Sequence, residues 1–132
     1  MILRIDNPIS LNPIFRLEKY LGHSRETFQS MLIRAVADQD SVVLVDKADG
    51  VVRGYMFASI ERIDDSPCVF IHLTYARPDA RGVAQGLLGH VTKMARSLGI
   101  QHIYMTTKRS PKAFDRAYGF KFHRYLMRKE VI

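Results

Sequence analysis

The sequence predicts an α/β protein with a mixed sheet, on the strength of three observations. Two segments with helical periodicity lie near the N-terminus, short β-branched and apolar segments follow from Ser41, and helical and strand-like segments alternate from Val83 onward. This order of elements is typical of helices packed on a mixed sheet. The chain has 132 residues, of which 47% are hydrophobic and 25% charged. That is enough for one core, so we expect a single domain over residues 1–132.

Two helices are predicted near the N-terminus. Asn12 and Pro13 are typical of the cap and the first residue of a helix, and apolar residues follow them at helical spacing. Ser24 is expected to cap the second helix. The apolar residues of that helix recur at the intervals of one buried stripe: Phe28, Met31, Leu32, Ala35 and Val36.

An antiparallel hairpin and a central strand are predicted next. Residues 41–45 and 51–60 are strand-like and flank the turn dipeptide Asp49-Gly50. Residues 68–76 are apolar almost throughout, as expected of a central strand that is covered on both faces. Pro78 ends this strand, because proline has no N–H to donate to a sheet.

The C-terminal half is predicted to alternate between helices and strands. A helix begins at Val83 and presents one apolar face, with Gly99 just beyond its end. Residues 100–106 form a further strand, Ser110 and Pro111 open a short helix that ends at Gly119, and residues 120–127 form a last strand.

Composition and charge exclude several classes of protein. No apolar run approaches the roughly 20 residues that cross a bilayer, and the first residues are too charged for a signal peptide, so we expect a cytoplasmic protein without a membrane segment. The one cysteine, Cys68, excludes an intrachain disulfide and is expected to be a buried apolar residue. The net charge of +7 favours an acidic partner, either a polyphosphate cofactor, an acidic protein or nucleic acid.

The segment from Tyr75 to Leu88 is predicted to bind an anion. A buried strand leads through a turn of small residues directly into a helix. The first N–H groups of a helix have no partner and the helix dipole adds positive charge there, while small side chains leave room for a phosphate: Gly82, Ala84 and Gly86. Arg81 and Arg77 could add charged hydrogen bonds. A turn that binds no ligand is the alternative. The spacing excludes a nucleotide P-loop and a dinucleotide fingerprint.

This segment resembles the cofactor loop of the Gcn5-related N-acetyltransferase (GNAT) family. The stretch Gly82-Val83-Ala84-Gln85-Gly86-Leu87-Leu88 is similar to the Gly-x-Gly/Ala-x-x-Leu-Leu part of the family motif. The resemblance spans residues 41–129 and includes the following short matches: Ala95-Arg96, Gly99-Ile100, Ala113-Phe114 and Tyr118-Gly119-Phe120.

The resemblance implies a GNAT-like fold and acetyl-coenzyme A as cosubstrate, with no metal. The implied fold has a mixed, mostly antiparallel central sheet, two N-terminal helices, a cofactor-loop helix and a short C-terminal helix. The family loop holds the pyrophosphate, which here assigns Arg81, Gly82, Val83, Ala84, Gln85 and Gly86 to the cofactor. The strand before it offers backbone groups around Tyr75, Ala76 and Arg77 to the pantetheine arm. Ser110, at the position of a frequent Asn, and Lys112 are added to the predicted cofactor contacts.

Two positions depart from the family pattern. Asp79 occupies the place of the family's Arg or Gln, so either the loop is about two residues shorter and Arg81 substitutes, or one phosphate contact is lost. Asp115 stands where the family usually has the Tyr that protonates the departing thiolate. Tyr118, Tyr75 or water are the groups that could replace it.

A general base is needed because a lysine-like amine has a pKa of about 10.4 and must lose a proton before it attacks a thioester. His72 is the predicted base, since it lies four residues before Ala76 and some members of the resembled family have a catalytic His at that distance. A buried histidine that only satisfies a backbone carbonyl is the alternative. Glu61, at the end of the preceding strand, is a second predicted base whose alternative is a solvated carboxylate.

Two functions from different classes follow from these observations. The leading hypothesis is an N-acetyltransferase that transfers the acetyl group of acetyl-coenzyme A to a primary amine by direct attack in a ternary complex. The alternative is a non-catalytic binding module of the same fold that contacts an acidic protein or nucleic acid, which the Asp115 substitution and the net charge of +7 favour. The acceptor amine and the oligomeric state have no sequence signature.

Overall fold

The computed structural model describes residues 1–106, 116, 118–121, 123, 124 and 127–131. It is built around a five-stranded sheet with the order β1-β2-β3-β4-β5. The strands are β1 (Ile2–Arg4), β2 (Ser41–Ala48), β3 (Val51–Ile63), β4 (Ser66–Ala76) and β5 (Ile103–Met105). The first four pair antiparallel with their neighbours, whereas β5 runs parallel to β4. The mixed, mostly antiparallel sheet is therefore confirmed.

Two α-helices precede the hairpin of β2 and β3, and a third follows β4. They are α1 (Asn12–Phe15), α2 (Arg25–Ala37) and α3 (Val83–Ser97). The Ser24 hydroxyl accepts a hydrogen bond from the Thr27 N–H at 3.1 Å, which is the predicted cap of α2. Gly99 lies just beyond α3 with φ +72°, as predicted for the residue that ends this helix.

The helices cover opposite faces of the sheet and produce two apolar clusters. Phe28 and Leu32 of α2 pack with Tyr55 and Leu73 on one face. On the other face, residues of α3 pack against β2, β3 and β4: Val83, Leu87, Val91 and Ala95. The sheet therefore separates two layers, and β4 contributes to both of them, as the apolar composition of this strand predicted.

The structure differs from the sequence prediction at both ends of the chain. Residues 2–4 form an edge strand that was not predicted, because three residues are too few for a periodic pattern. The first α-helix is only one turn long and follows a 3₁₀ helix, Pro8–Leu11, which is capped by Asn7. Asn12, the predicted cap of α1, is instead its first residue. The predicted last strand is absent from the described residues of 120–127. Arg116 and Tyr118 are helical, and Gly119, the predicted end of the short C-terminal helix, has φ +76°. The predicted start of this helix, Ser110 and Pro111, lies outside the described residues.

Cys68 is 1% exposed, as expected of a buried apolar residue. Desolvation by burial raises the pKa of its thiol, and the nearby Glu61 carboxylate adds to that rise. In the part of the chain that the structure describes, no helix is long and apolar enough to cross a membrane. The same residues contain no group of three or more metal-ligating side chains.

Candidate functional site

The site is organised by a β-bulge in the middle of β4. Phe57 of β3 lies opposite Leu73 and the next residue, Ala58, lies opposite Ile71, so His72 is the additional residue of β4. A bulge interrupts the alternation of side chains along a strand. As a result Ile71 packs on the α3 face, whereas Leu73 packs on the α2 face and His72 lines a cleft on that same face.

Beyond the bulge, one edge of β4 has no strand beside it within the described residues. β5 pairs only with the segment from Val69 to Ile71. The Arg77 N–H donates to the Arg53 carbonyl at 2.8 Å, so this end of β4 still follows β3. Because backbone groups alternate between the two edges of a strand, the N–H and C=O groups of Thr74 and Ala76 face the open edge. Of the backbone groups predicted to be free at Tyr75 to Arg77, only those of Ala76 face the open edge. The backbone groups of Thr74, which were not predicted, face it as well.

The loop after β4 ends in the unpaired N–H groups of α3. Gly82 is the N-terminal cap of α3 with φ +77°, a left-handed conformation that favours glycine. No side chain caps the helix, and the first backbone bond that closes its first turn runs from the Gly86 N–H to the Gly82 carbonyl at 2.9 Å. A Cβ at Gly82 would meet nothing within 4 Å. The helix end is therefore open to an incoming anion.

The charged residues of the loop are arranged around Asp79. The Arg77 guanidinium binds the Asp79 carboxylate through two contacts, Nε to Oδ1 at 3.1 Å and Nη2 to Oδ2 at 2.8 Å. Arg81 is exposed and makes no ion pair or side-chain hydrogen bond with other described residues. Arg77 thus neutralises the carboxylate that replaces the family's Arg or Gln, and Arg81 is the arginine of the loop that stays available to a phosphate.

Gly54 allows α3 to approach the sheet closely. A Cβ at Gly54 would lie 2.5 Å from the Tyr75 carbonyl oxygen and 2.6 Å from Cγ1 of Val83. Val83 is the first residue of α3 and is 2% exposed. The missing side chain at Gly54 therefore determines where the N-terminus of α3 lies relative to the open edge of β4.

A cleft of about 650 Å³ lies between α2 and the strands β3 and β4. His72 lies in its wall with three residues that alternate along β3: Phe57, Ser59 and Glu61. The facing wall comes mainly from α2 and includes two carboxylates and one guanidinium, those of Glu26, Asp38 and Arg34. The cleft is thus polar at its rim, with a histidine and three carboxylates in a chain whose net charge is positive.

His72 is held by neighbours on both strands. Its Nε2 lies 2.6 Å from the Ser59 hydroxyl, and that hydroxyl donates to Oε1 of Glu61 at 2.8 Å. The imidazole stacks on Phe57 with centroids 4.6 Å apart and lies 5.0 Å from the ring of Phe70. Burial lowers the pKa of His72, and the Glu61 carboxylate partly opposes this shift. The neutral imidazole, which can accept a proton, is therefore favoured near pH 7.

A family model described as "Protein of unknown function (DUF1999)" matches residues 25–127. The chain belongs to the DUF1999 family. No curated protein sequence matches it.

Several solved structures similar to this DUF1999 chain are described as acetyltransferases. The aminoglycoside N-acetyltransferase AAC(6')-Iy in complex with CoA is 25% identical, with a TM-score of 0.81 over 98% of this chain and 93% of that one. The aminoglycoside 6'-N-acetyltransferase AAC(6')-IG from Acinetobacter haemolyticus is 20% identical, with a TM-score of 0.84 over 100% and 99% of the two chains. The chain has the GNAT fold, which confirms the resemblance described above.

The structure divides the predicted site residues of this DUF1999 chain into two groups. His72 and Glu61 meet in the cleft, with Nε2 and Oε1 3.8 Å apart. At the N-terminus of α3, Arg81, Gly82 and Gln85 are exposed and Ala84 and Gly86 are half-buried. Val83 is buried in the core, so its side chain does not reach the surface where a cofactor would bind. Tyr118 is half-buried and is not among the described residues that line the cleft. Ser110, Lys112 and Asp115 lie outside the described residues.

Sequence reasoning missed three residues of this region: Ser59, Phe57 and Gly54. Phe57, Ser59 and Glu61 share one face of β3 because side chains alternate along a strand, and that period was visible in the sequence. These side chains meet His72 because β4 has a bulge at that residue. Residues 71–73 include no glycine or proline that would mark the bulge in the sequence. The contact between Gly54 and α3 joins residues far apart in sequence and therefore has no local pattern.

Proposed function

We propose that the chain is an acetyltransferase that transfers the acetyl group of acetyl-coenzyme A to a primary amine by direct attack in a ternary complex. The observation that supports it best is the continuity of three features along one segment: the bulge at His72, the open edge of β4 and the uncapped N-terminus of α3. This arrangement can hold the two ends of an extended cosubstrate and place its reacting end beside a base. The similar structures named above, one of them bound to CoA, support the same assignment.

The cosubstrate is proposed to bind along β4 with its pyrophosphate at the start of α3. The residues of this chain fit that group, because the helix end offers unpaired N–H groups, Gly82 leaves open space and Arg81 is available. The backbone groups of Thr74 and Ala76 would pair with the amides of the pantetheine arm as a neighbouring strand does. A backbone N–H at this edge would also stabilise the negative charge that develops on the thioester oxygen.

His72 is proposed to accept the proton of the attacking amine. The acceptor ammonium first loses one proton to solvent and reacts as the neutral amine. Its nitrogen forms a bond to the acetyl carbon, the bond from carbon to sulfur breaks, and the second proton of the nitrogen passes to His72. Coenzyme A leaves as a thiolate, which takes a proton from Tyr118, Tyr75 or water. The low pKa that burial gives His72 keeps it unprotonated and ready for this role at neutral pH.

The acceptor is proposed to be a small amine that binds in the cleft between α2 and the sheet. The cleft opens beside His72, and its volume of about 650 Å³ lies within the usual range for small-molecule sites. Its carboxylates suit an acceptor with positive charge. Two of the similar structures are described as aminoglycoside 6'-N-acetyltransferases, so amino sugars are the first acceptors to assay.

Calorimetric titration with acetyl-coenzyme A tests the cosubstrate site, with Ala84→Glu as the informative variant. Ala84 lies in the first turn of α3, so a carboxylate there should repel the pyrophosphate and weaken binding about tenfold, the equivalent of about 1.4 kcal/mol. His90→Glu adds the same charge six residues further along α3, at an exposed position, and should bind normally. Equal affinity in both variants would place the pyrophosphate elsewhere.

Failure of the folded wild-type chain to bind acetyl-coenzyme A or free coenzyme A would refute the enzyme proposal. The non-catalytic binding module would then become the better hypothesis. It predicts that affinity for nucleic acid falls steeply as salt increases, because lysines and arginines release condensed counterions when they bind phosphates.

A further inference from the structure

We propose that Ser59 is a positioning residue that holds His72 as the Nε2–H tautomer, so that Nδ1 is the nitrogen that accepts the proton of the acceptor amine. Glu61 acts through Ser59 and does not itself take the proton. The inference rests on the proposed function, because it concerns the same base. It adds the serine and the choice of nitrogen, and it changes the role of Glu61 from a second base to a fixed hydrogen-bond acceptor.

The hydrogen-bond pattern determines the tautomer. A hydroxyl has one hydrogen to donate, whereas a carboxylate can only accept. The Ser59 hydroxyl lies 2.8 Å from Oε1 of Glu61 and 2.6 Å from Nε2 of His72, so its hydrogen goes to the carboxylate. Its lone pair must then face Nε2, which requires a hydrogen on that nitrogen. If the hydroxyl pointed at Nε2 instead, two lone pairs would face each other across 2.8 Å.

The packing around the imidazole holds it in this orientation. The ring stacks on Phe57 with an interplanar angle of 25° and is flanked by Phe70, both of them near neighbours in the sheet. Ser59 is 6% exposed, while the His72 side chain is 28% exposed. Nε2 is bound to a buried hydroxyl, whereas Nδ1 has no hydrogen-bond partner among the described residues, so Nδ1 is the nitrogen with a free lone pair in a residue that lines the cleft.

The charges around His72 favour this arrangement after the proton has arrived. Both nitrogens of the imidazolium then bear a hydrogen, and Nε2–H still donates to Ser59. The Glu61 carboxylate, 3.8 Å from Nε2, stabilises the new positive charge. Glu26 and Arg34 of α2, and Asp38 just beyond its C-terminal end, line the same cleft. The proton gained at Nδ1 is the one that the neutral amine loses when it becomes an amide, and the departing thiolate takes its own proton from Tyr118, Tyr75 or water.

Nitrogen NMR of the imidazole in the ¹⁵N-histidine-labelled full chain tests the tautomer without any need for activity. At a pH above the pKa of His72, the wild-type spectrum should show a protonated Nε2 and an unprotonated Nδ1. Ser59→Ala should give a mixture of tautomers, and Ser59→Thr, which retains a hydroxyl, should restore the wild-type pattern. Ser41→Ala is the matched control, because Ser41 is a buried serine of the same cleft that binds Asp38 and not His72.

Kinetics with an amine acceptor give the second readout. Ser59→Ala should lower kcat about tenfold with little change in KM, and Ser59→Thr should recover most of that loss. A wild-type spectrum with the proton on Nδ1, or a Ser59→Ala variant with an unchanged spectrum and kcat, would overturn the inference. Absence of acetyl-coenzyme A binding would refute the proposed function instead, and the tautomer measurement would then still decide whether Ser59 positions His72.

Discussion

Replacement of Gly54 by alanine should both destabilise the protein and weaken cosubstrate binding. The new Cβ would lie 2.5 Å from the Tyr75 carbonyl oxygen and 2.6 Å from Cγ1 of Val83, and the first of these atoms belongs to the backbone. A side-chain rotation therefore cannot remove the clash, and β4 or the start of α3 must move. Overpacking of this kind costs about 1–3 kcal/mol. For a chain of this size we expect Tm to fall by roughly 5–10 °C.

The assay combines urea denaturation with titration of acetyl-coenzyme A. We expect the variant to have a lower urea midpoint with an unchanged slope. At urea concentrations where the variant is still fully folded, it should bind acetyl-coenzyme A more weakly than the wild type, because the N-terminus of α3 is displaced from the edge of β4. Gly89→Ala is the matched control. It lies within α3 and its Cβ would meet nothing within 4 Å, so it should stabilise the chain by about 0.5–1 kcal/mol and bind normally. Wild-type stability and affinity in Gly54→Ala would refute the packing argument.

Two further predictions concern stability. Burial lowers the pKa of His72, so the unfolded chain takes up a proton more readily than the folded one. The contribution of neutral His72 to the free energy of unfolding should be fully present above about pH 6.5 and should be lost as the pH falls through the lower pKa of the folded state. His72→Gln should remove this part of the decline, measured by urea titrations between about pH 5 and pH 7. An identical decline in the variant would contradict the assignment. Tyr55→Phe removes the hydrogen bond from a fully buried hydroxyl to the Lys19 carbonyl, 2.6 Å long, and should cost about 1 kcal/mol, measured as a lower urea midpoint. Tyr104→Phe serves as its control, and equal midpoints for the two variants would show that the bond contributes nothing.

The agreement between sequence and structure is best where local interactions decide the conformation. The Ser24 cap, the apolar stripe of α2, the Asp49-Gly50 turn and the glycine beyond α3 were all predicted and found. The single turn of α1 shows the limit of this reasoning. Its apolar spacing suits a helix through Leu21, yet the chain leaves the helix after Phe15 and passes through positive φ at Glu18 and Leu21.

The chemistry of the site required the tertiary structure. Local patterns in the sequence were sufficient to predict the mixed sheet, a central strand covered on both faces, the glycine at the start of α3 and the histidine on that strand, because caps, turns and hydrophobic periods act over a few residues. The position of Ser59 between His72 and Glu61, and that of Gly54 beneath Val83, follow from contacts between distant parts of the folded chain. The physical reason is strand register: one additional residue in β4 changes which side chains share a face, and register is determined by pairing between strands that are distant in sequence.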